Sequence, residues 1–314
     1  SACGTSIAWC YPLFCMESVA RRAGDRAWRA ALYPRLAAFV RWTLAHRTDP
    51  DGYVVGKCSW ETGMDASSRF LIQQPTGAEL IDFIRVVELQ AATAHACGWL
   101  AALASEHRQA AEAAAWRALQ QRYLAKTQSL WNGRDWFEDF NTRDGKPIVL
   151  VNPPTGQLGR EVGQCAPIFL GQATEAQTAA MRPLLRQYRA RPQYFLEWPS
   201  FVLPYLESLW TAGERAFAAE VVHDIAERVY ASTDRRAPTE GLGRPGVSCE
   251  MWALKGALGG EGYGWGATLP AHILRTVVGF RETADAAHCE LSPNLPDALA
   301  GADLVQPRVA DADQ

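Results

Sequence analysis

The sequence predicts an all-α protein assembled from pairs of helices. Three observations carry that prediction. Apolar residues recur at helical spacing along most of the 314 residues, and Pro, Asp and Gly punctuate them at helix starts and stops. Connections between the segments alternate between short and long, and short ones suit helix hairpins. The long ones carry Trp, Asp, Glu and Arg, the residue types that do chemistry on loops. No exact repeat period stands out, which disfavours a solenoid. A ring of helix pairs, with its long loops collected on one face, fits better.

The elements follow in order. Pro12 opens the helix PLFCMESVARRA, since its missing N–H is no loss at a first position, and Gly24 stops it. Asp25 caps a short segment, DRAWRAALY, and Pro34 opens a separate one, PRLAAFVRWTLAHR. TDPDG is a turn by composition. The loop CSWETGMDASSRF, from Cys58 to Phe70, comes next. From Val86 to Ala104 the chain is apolar enough for a buried helix, and EHRQAAEAAAWRALQQRYLAKTQSLW is its amphipathic partner. Beyond Asn132, DWFEDFNTRDGKPIVLV alternates around an Arg-Asp-Gly turn and reads as a β-hairpin. Helices resume at APIFLG, TEAQTAAMRPLLRQY, PSFVLPYLESLW and ERAFAAEVVHDIAERVY. A glycine-rich connection, PTEGLGRPGVSCEMWALKGALGGEGYGWG, leads to the final helix TLPAHILRTVVGF, and CELSPNLPDAL starts a small β element. This divides the chain into a helical domain over 1–285 and a tail over 286–314.

Composition narrows the function classes. A net charge of −3 with short, isolated basic clusters gives no reason to expect nucleic acid as a partner. No apolar run reaches the roughly 18 residues that span a bilayer. SACGTSIAWCYPLF lacks the basic flank of a signal peptide, though a chain that does not begin with Met is a weak guide to compartment. The eight cysteines show no CxxC spacing, and several sit in apolar runs. Buried thiols rather than a disulfide framework are expected, which leans toward the cytoplasm. The histidines give no HxxxH or HExxH spacing, so no metal is expected, and His95, His223 and His272 lie inside helices. No GxSxG elbow is present, and GLGRPG lacks the strand–turn–helix context of a dinucleotide site. No cofactor is expected. Twelve tryptophans suit both a core and a cleft that stacks flat ligands.

The loop at 58–70 is where a family resemblance begins. SWETGMDASSRF resembles the SGMDxSPR-type loop of the helical-toroid glycoside hydrolases: family 37 trehalases, family 63 α-glucosidases and mannosylglycerate hydrolases. Further stretches agree in the same order. FIRVVELQA is similar to PVDLNA, APIFLGQATEAQ to PLFxGIATPEQA, and EWPSFVLPYLESL to GPxWPPxNYLL. CEMW resembles the short E-x-Y/W segment that carries a carboxylate, and GYGWGATL the FGWTAAL that starts the last helix. The likeness runs from about residue 10 to 300. Two departures stand out: SSR replaces SPR, and a GGRFREFYYWD-type motif is absent. The resemblance implies an (α/α)6 toroid, here either lacking its first helices or closing its ring differently, with a β-hairpin insertion and a short C-terminal β element.

The resemblance further implies an inverting, exo-acting glycoside hydrolase without a cofactor, acting on an α-linked glucosyl or mannosyl unit of an oligosaccharide or small glycoside. Asp65 is then the general acid and Glu250 the general base. Two carboxylates from separate loops meeting over one cleft are what glycosidic cleavage needs. Trp60, Met64 and Phe70 would keep Asp65 partly desolvated and protonated. Asp65 is also good helix-capping sequence in DASS, and Glu240 and Glu261 rival Glu250 as the base. Trp60, Trp198 and Trp265 are candidate sugar-stacking platforms or core residues, and Trp136 is a further candidate. Glu61, Arg69, Glu88 and Gln90 are candidate substrate-binding groups, with loop pairing, capping or buried hydrogen bonds as the alternatives. Two other functions stay open: a non-catalytic carbohydrate-binding toroid, and an epimerase or lyase on the same fold, which would gather His or Tyr at the cleft.

Overall fold

A computed structural model describes residues 11–57, 61, 69, 80–149, 160–187, 199–234, 249–253, 256–261, 268–283, 288–299 and 301. Helices dominate it. The first two, α1 (Tyr11–Arg22) and α2 (Arg26–His46), are separated by Gly24 in a left-handed conformation at φ +62°. Asp25 caps α2 as expected, its carboxylate accepting from Trp28 N at 3.0 Å.

Pro34, however, opens no new helix. It lies inside a continuous 21-residue α2. A mid-helix proline forfeits one hydrogen bond and costs about 3 kcal/mol. Here Tyr33, Leu36, Ala37 and Val40 form one unbroken buried stripe across the site, and packing that stripe outweighs the cost.

The next pair is the clearest sequence-to-fold case. Helix α3 (Val87–Glu106) is alanine-rich and buried around nearly its whole circumference, the mark of an inner helix. Its partner α4 (Ala110–Gln128) buries Ala113, Trp116, Tyr123 and Thr127 along one face and leaves the rest to solvent. Trp116 is 2% exposed; its indole donates to the Tyr33 hydroxyl at 3.1 Å, which donates on to Glu112 at 3.0 Å. Cys97 on α3 is a buried free thiol whose pKa burial pushes up to about 12, leaving it inert at neutral pH.

The second half repeats the scheme. A 3-10 turn (Val162–Cys165) runs into the short α5 (Ala166–Phe169), then α6 (Glu175–Leu185). Thr174 and Gln177 form a capping box at the start of α6. Helix α7 (Pro199–Thr211) is apolar on several faces, with Phe201, Val202, Tyr205, Leu206 and Leu209 buried, and α8 (Arg215–Asp234) packs against it. Helix α9 (Leu269–His272) continues as a π turn through Val277. Glu207 of α7 ties this last element down by accepting from Arg275 and Arg281 at 2.7–2.8 Å. An apolar helix is thus followed by a more polar partner in the α3–α4 and α7–α8 pairs.

Among the described residues, three small antiparallel sheets sit beside the helices. The expected hairpin is present as β2 (Phe140–Asn141) and β3 (Lys146–Pro147), with β1 (Ile84–Arg85) added to its edge. The glycine-rich stretch, read from sequence as a connection, contains a hairpin of β4 (Cys249–Ala253) and β5 (Gly256–Glu261). The glycines of β5, in GALGGE, dilute the period-two pattern that marks a strand. The tail element is β7 (Cys289–Leu291), which pairs with β6 (Phe280–Glu282) and so straddles the boundary predicted at residue 285.

Gly279, entering β6, holds φ +70°, and a Cβ there would lie 1.8 Å from the Ser292 carbonyl oxygen. Left-handed strain alone costs roughly 1–2 kcal/mol for a residue with a side chain. Gly279→Ala is therefore expected to destabilise the protein by at least about 2 kcal/mol in urea titrations, because the obstacle is backbone and cannot rotate away.

Candidate active site

The loop singled out by its sequence begins and ends in buried ion pairs. At its start stands Glu61, 7% exposed. Arg47, the residue that closes α2, donates to Glu61 Oε1 at 2.5 Å and to Oε2 at 3.4 Å. The Lys57 backbone N–H adds a bond to Oε2 at 2.6 Å. Both side chains of the pair are nearly inaccessible to water, so each charge depends on the other for solvation.

Arg69 is the second anchor, and its side chain has no exposure at all. Its guanidinium donates to both oxygens of Glu88, at 2.6 and 3.0 Å, and to Asp139 Oδ2 at 2.9 Å. This is the planar, forked geometry for which arginine is suited and lysine is not. Burial works against the charge on Arg69, but Glu88 and Asp139 more than restore it and hold its pKa above the ordinary value. Burial, joined by the charge of Glu88, raises the Asp139 carboxyl above its usual range despite Arg69 and the Val87 N–H.

Each partner comes from a different element. Glu88 sits in the first turn of α3, where a carboxylate also suits the helix dipole. Asp139 precedes β2 and accepts from Val87 N at 2.8 Å, capping α3 from a distant part of the chain. Gln164, in the 3-10 turn, donates to Asp139 at 3.3 Å while its carbonyl accepts from the Trp136 indole at 2.7 Å. Trp136 is thus a fully buried core residue and not a sugar platform. Gly163 closes the packing: a Cβ there would stand 2.7 Å from Glu88 Oε1, so only glycine lets the carboxylate lie this close. A cleft of 180 Å³ lies against Arg69, bordered by Ile84 and by the hairpin residues Asn141, Asp144 and Lys146.

The predicted residues distribute as follows. Glu61, Arg69, Glu88 and Gln90 are buried and engaged with protein groups. Gln90 clamps the backbone of Val54 with one bond in each direction, at 3.0 and 2.8 Å, and reaches Val86 O at 3.0 Å. The structure brings Arg69 and Glu88 together directly, and puts Glu61 and Gln90 on the flanking segments. Asp65, Trp60, Trp198, Trp265 and Glu240 lie outside the described residues. Glu250 and Glu261 fall on the β4–β5 hairpin, where Cys249 pairs with Glu261 and Met251 with Leu258. Two steps along β4 therefore match three along β5, a bulge in the glycine run opposite Glu250. Such bulges bend a strand and re-aim its residues, and they are common next to active sites.

Sequence reasoning missed Arg47, Asp139 and Gln164. Their partners lie 14, 70 and 25 residues away, beyond any local pattern. One local signal did exist: Glu161 and Gln164 form a capping box, a Glu-x-x-Gln spacing readable in EVGQ.

All six histidines are described, and they sit on separate elements, with His95 on Glu17 at 2.8 Å and His272 beside Thr268 at 3.1 Å. Burial lowers the His272 pKa to about 4, so it is neutral at pH 7. Among the described residues no group of His, Cys, Asp and Glu is arranged to hold a metal, and no helix is long and apolar enough to cross a membrane.

Comparison with curated protein sequences found no match. Among solved structures, the chain is similar to a GH63 mannosylglycerate hydrolase from Thermus thermophilus in complex with glucose. That likeness has a TM-score of 0.62 at 19% identity, over 87% of this chain and 77% of the other. The same hydrolase in complex with Tris and D-glycerate gives 0.60 at 19%, over 85% and 76%. A GH78 family rhamnosidase of Bacillus sp. GL1 gives 0.61 at 17%, over 90% of this chain and 27% of that one. At these identities the likeness is one of fold, of the (α/α)6-toroid type. The family model for the mannosylglycerate hydrolase MGH1-like glycoside hydrolase domain matches residues 14–200, more than half of the chain, and the chain belongs to that family of glycosidases.

Proposed function

We propose that this chain hydrolyses an α-linked glucosyl or mannosyl bond with inversion, Asp65 protonating the leaving oxygen and Glu250 activating water. The observation that carries the reading is the family match, whose span of 14–200 contains the Asp65 loop.

The chemistry follows from the residue types. An inverting site needs its acid and base about 6.5–9.5 Å apart, so that a water fits beneath the anomeric carbon. Asp65 gives its proton to the departing oxygen as the C–O bond breaks. Glu250 takes a proton from water as the new C–O bond forms on the opposite face. Trp60, Trp198 and Trp265 supply faces for the apolar side of the pyranose. Glu61, Arg69, Glu88 and Gln90 form the polar shell around the acid's loop. The helical unit of (α/α)6-toroid type spans 1–285, and 286–314 is a tail or the start of a small β element.

A panel of trehalose, kojibiose, nigerose, maltose and mannosylglycerate tests this reading. Release of free glucose or mannose from at least one is expected. Mannosylglycerate heads the panel because a solved structure of similar fold carries that activity in its name. For the accepted substrate, proton NMR should show the β-anomer appearing first. An α-anomer as first product would replace inversion by retention, and no hydrolysis of any α-glucoside or α-mannoside would favour a carbohydrate-binding role.

A further inference from the structure

We infer that Arg47 and Arg69 are positioning residues for the general acid, acting through the two ends of the segment that carries it. The inference rests on the reading of Asp65 as that acid. Glu61 and Arg69 bound a span of nine residues with Asp65 at its centre. Asp65 is four positions from each anchor in the sequence.

The anchors differ from ordinary loop contacts in three ways. Both are buried: Arg47, Glu61, Arg69, Glu88 and Asp139 have side-chain exposures of 4%, 3%, 0%, 2% and 0%. Both attach the loop to helix ends, Arg47 at the close of α2 and Glu88 in the first turn of α3. Both use forked guanidinium bonds, which fix orientation as well as distance. Asp139 and Gly163 then lock Glu88 and Arg69 against α3 and the 3-10 turn. Such groups belong to the protein's interior. Their value to catalysis is the placement of a carboxyl that must meet the leaving oxygen within a fraction of an ångström.

This separates acid placement from sugar binding, and leaving-group chemistry reads the difference. A glycosyl fluoride of the accepted sugar departs with far less help from an acid than an alkoxide does. Arg69→Lys and Arg47→Lys each keep the charge but lose the fork. Each is expected to lower kcat on the disaccharide or glycerate glycoside by about 10- to 100-fold, with KM changed less than about threefold and the fluoride turned over at nearly the wild-type rate. In an Asp65→Asn background the same substitutions should cause no further loss on the natural linkage.

Equal losses on fluoride and alkoxide substrates, or a full additional loss in the Asp65→Asn background, would overturn the positioning role. If Asp65→Asn itself hits both substrates alike, the acid assignment fails instead, so the two failures are distinguishable. Should Arg69→Lys not fold, Arg47→Lys at the other end carries the same test.

Discussion

Asp65→Asn is expected to lower kcat on an unactivated α-glycoside by about 10²–10⁴-fold, the usual range for a positioned general acid. The substitution is isosteric, so its melting temperature should stay near that of the wild type. The pH dependence supplies an independent sign. An inverting acid works protonated, so activity falls on the alkaline side as it ionises, and falls on the acid side as Glu250 takes up a proton. Glu250→Gln should remove the acid-side limb and cost a similar factor. Glu261→Gln, by contrast, should leave kcat within about threefold of wild type, since general-base loss costs at least about 10²-fold. Steady-state rates with purified variants, referred to folded protein by circular dichroism, check all three.

Arg69→Met is expected to carry the largest stability loss. It removes the cation that Glu88 and Asp139 share in a site with no access to water. Breaking one side of a buried ion pair typically costs about 3–5 kcal/mol, because the remaining charge is stranded. Against a total stability of about 5–15 kcal/mol that is a large share, and the urea midpoint should fall accordingly. The loss should also depend on pH, with a definite sign. Burial already raises the Asp139 carboxyl in the folded protein, and Arg69 is the main group that opposes the rise, so its removal raises that pKa further. Stability from a group raised on folding is fully present below its unfolded pKa and is lost as pH rises through the folded one. The deficit of the variant relative to wild type should therefore narrow as the pH falls from about 7 toward about 5. A deficit independent of pH would mean that lost packing, not stranded charge, is the cause.

What the sequence reveals of this molecule divides by the range of the interactions. The α3–α4 hairpin is legible because its burial pattern repeats within a few residues, apolar on all sides and then on one. The cap at Asp25 and the hairpin at 140–147 follow from local turn chemistry. Pro34 misleads because a local rule meets a tertiary stripe of Tyr33, Leu36, Ala37 and Val40 that it cannot see. The β4–β5 hairpin hides for a related reason: glycines that allow its bulge also erase strand alternation. At the site, Glu61, Arg69 and Glu88 stand out as unusual loop and helix-start charges. Their mutual arrangement does not, because the bonds join residues 14 to 70 positions apart. Asp139 in particular looks like one more hairpin carboxylate until the fold brings it to Arg69 and Val87.

A crystal structure of the Asp65→Asn variant with an α-glucoside or α-mannoside bound tests the central claim most directly. The measurement is the separation between the carboxamide of residue 65 and the carboxylate of Glu250, on either side of the anomeric carbon. A gap of about 6.5–9.5 Å, with a water held by Glu250 beneath that carbon, is the expected result. Glu250 turned away from the sugar, or residue 65 walled off from the leaving oxygen, would contradict it.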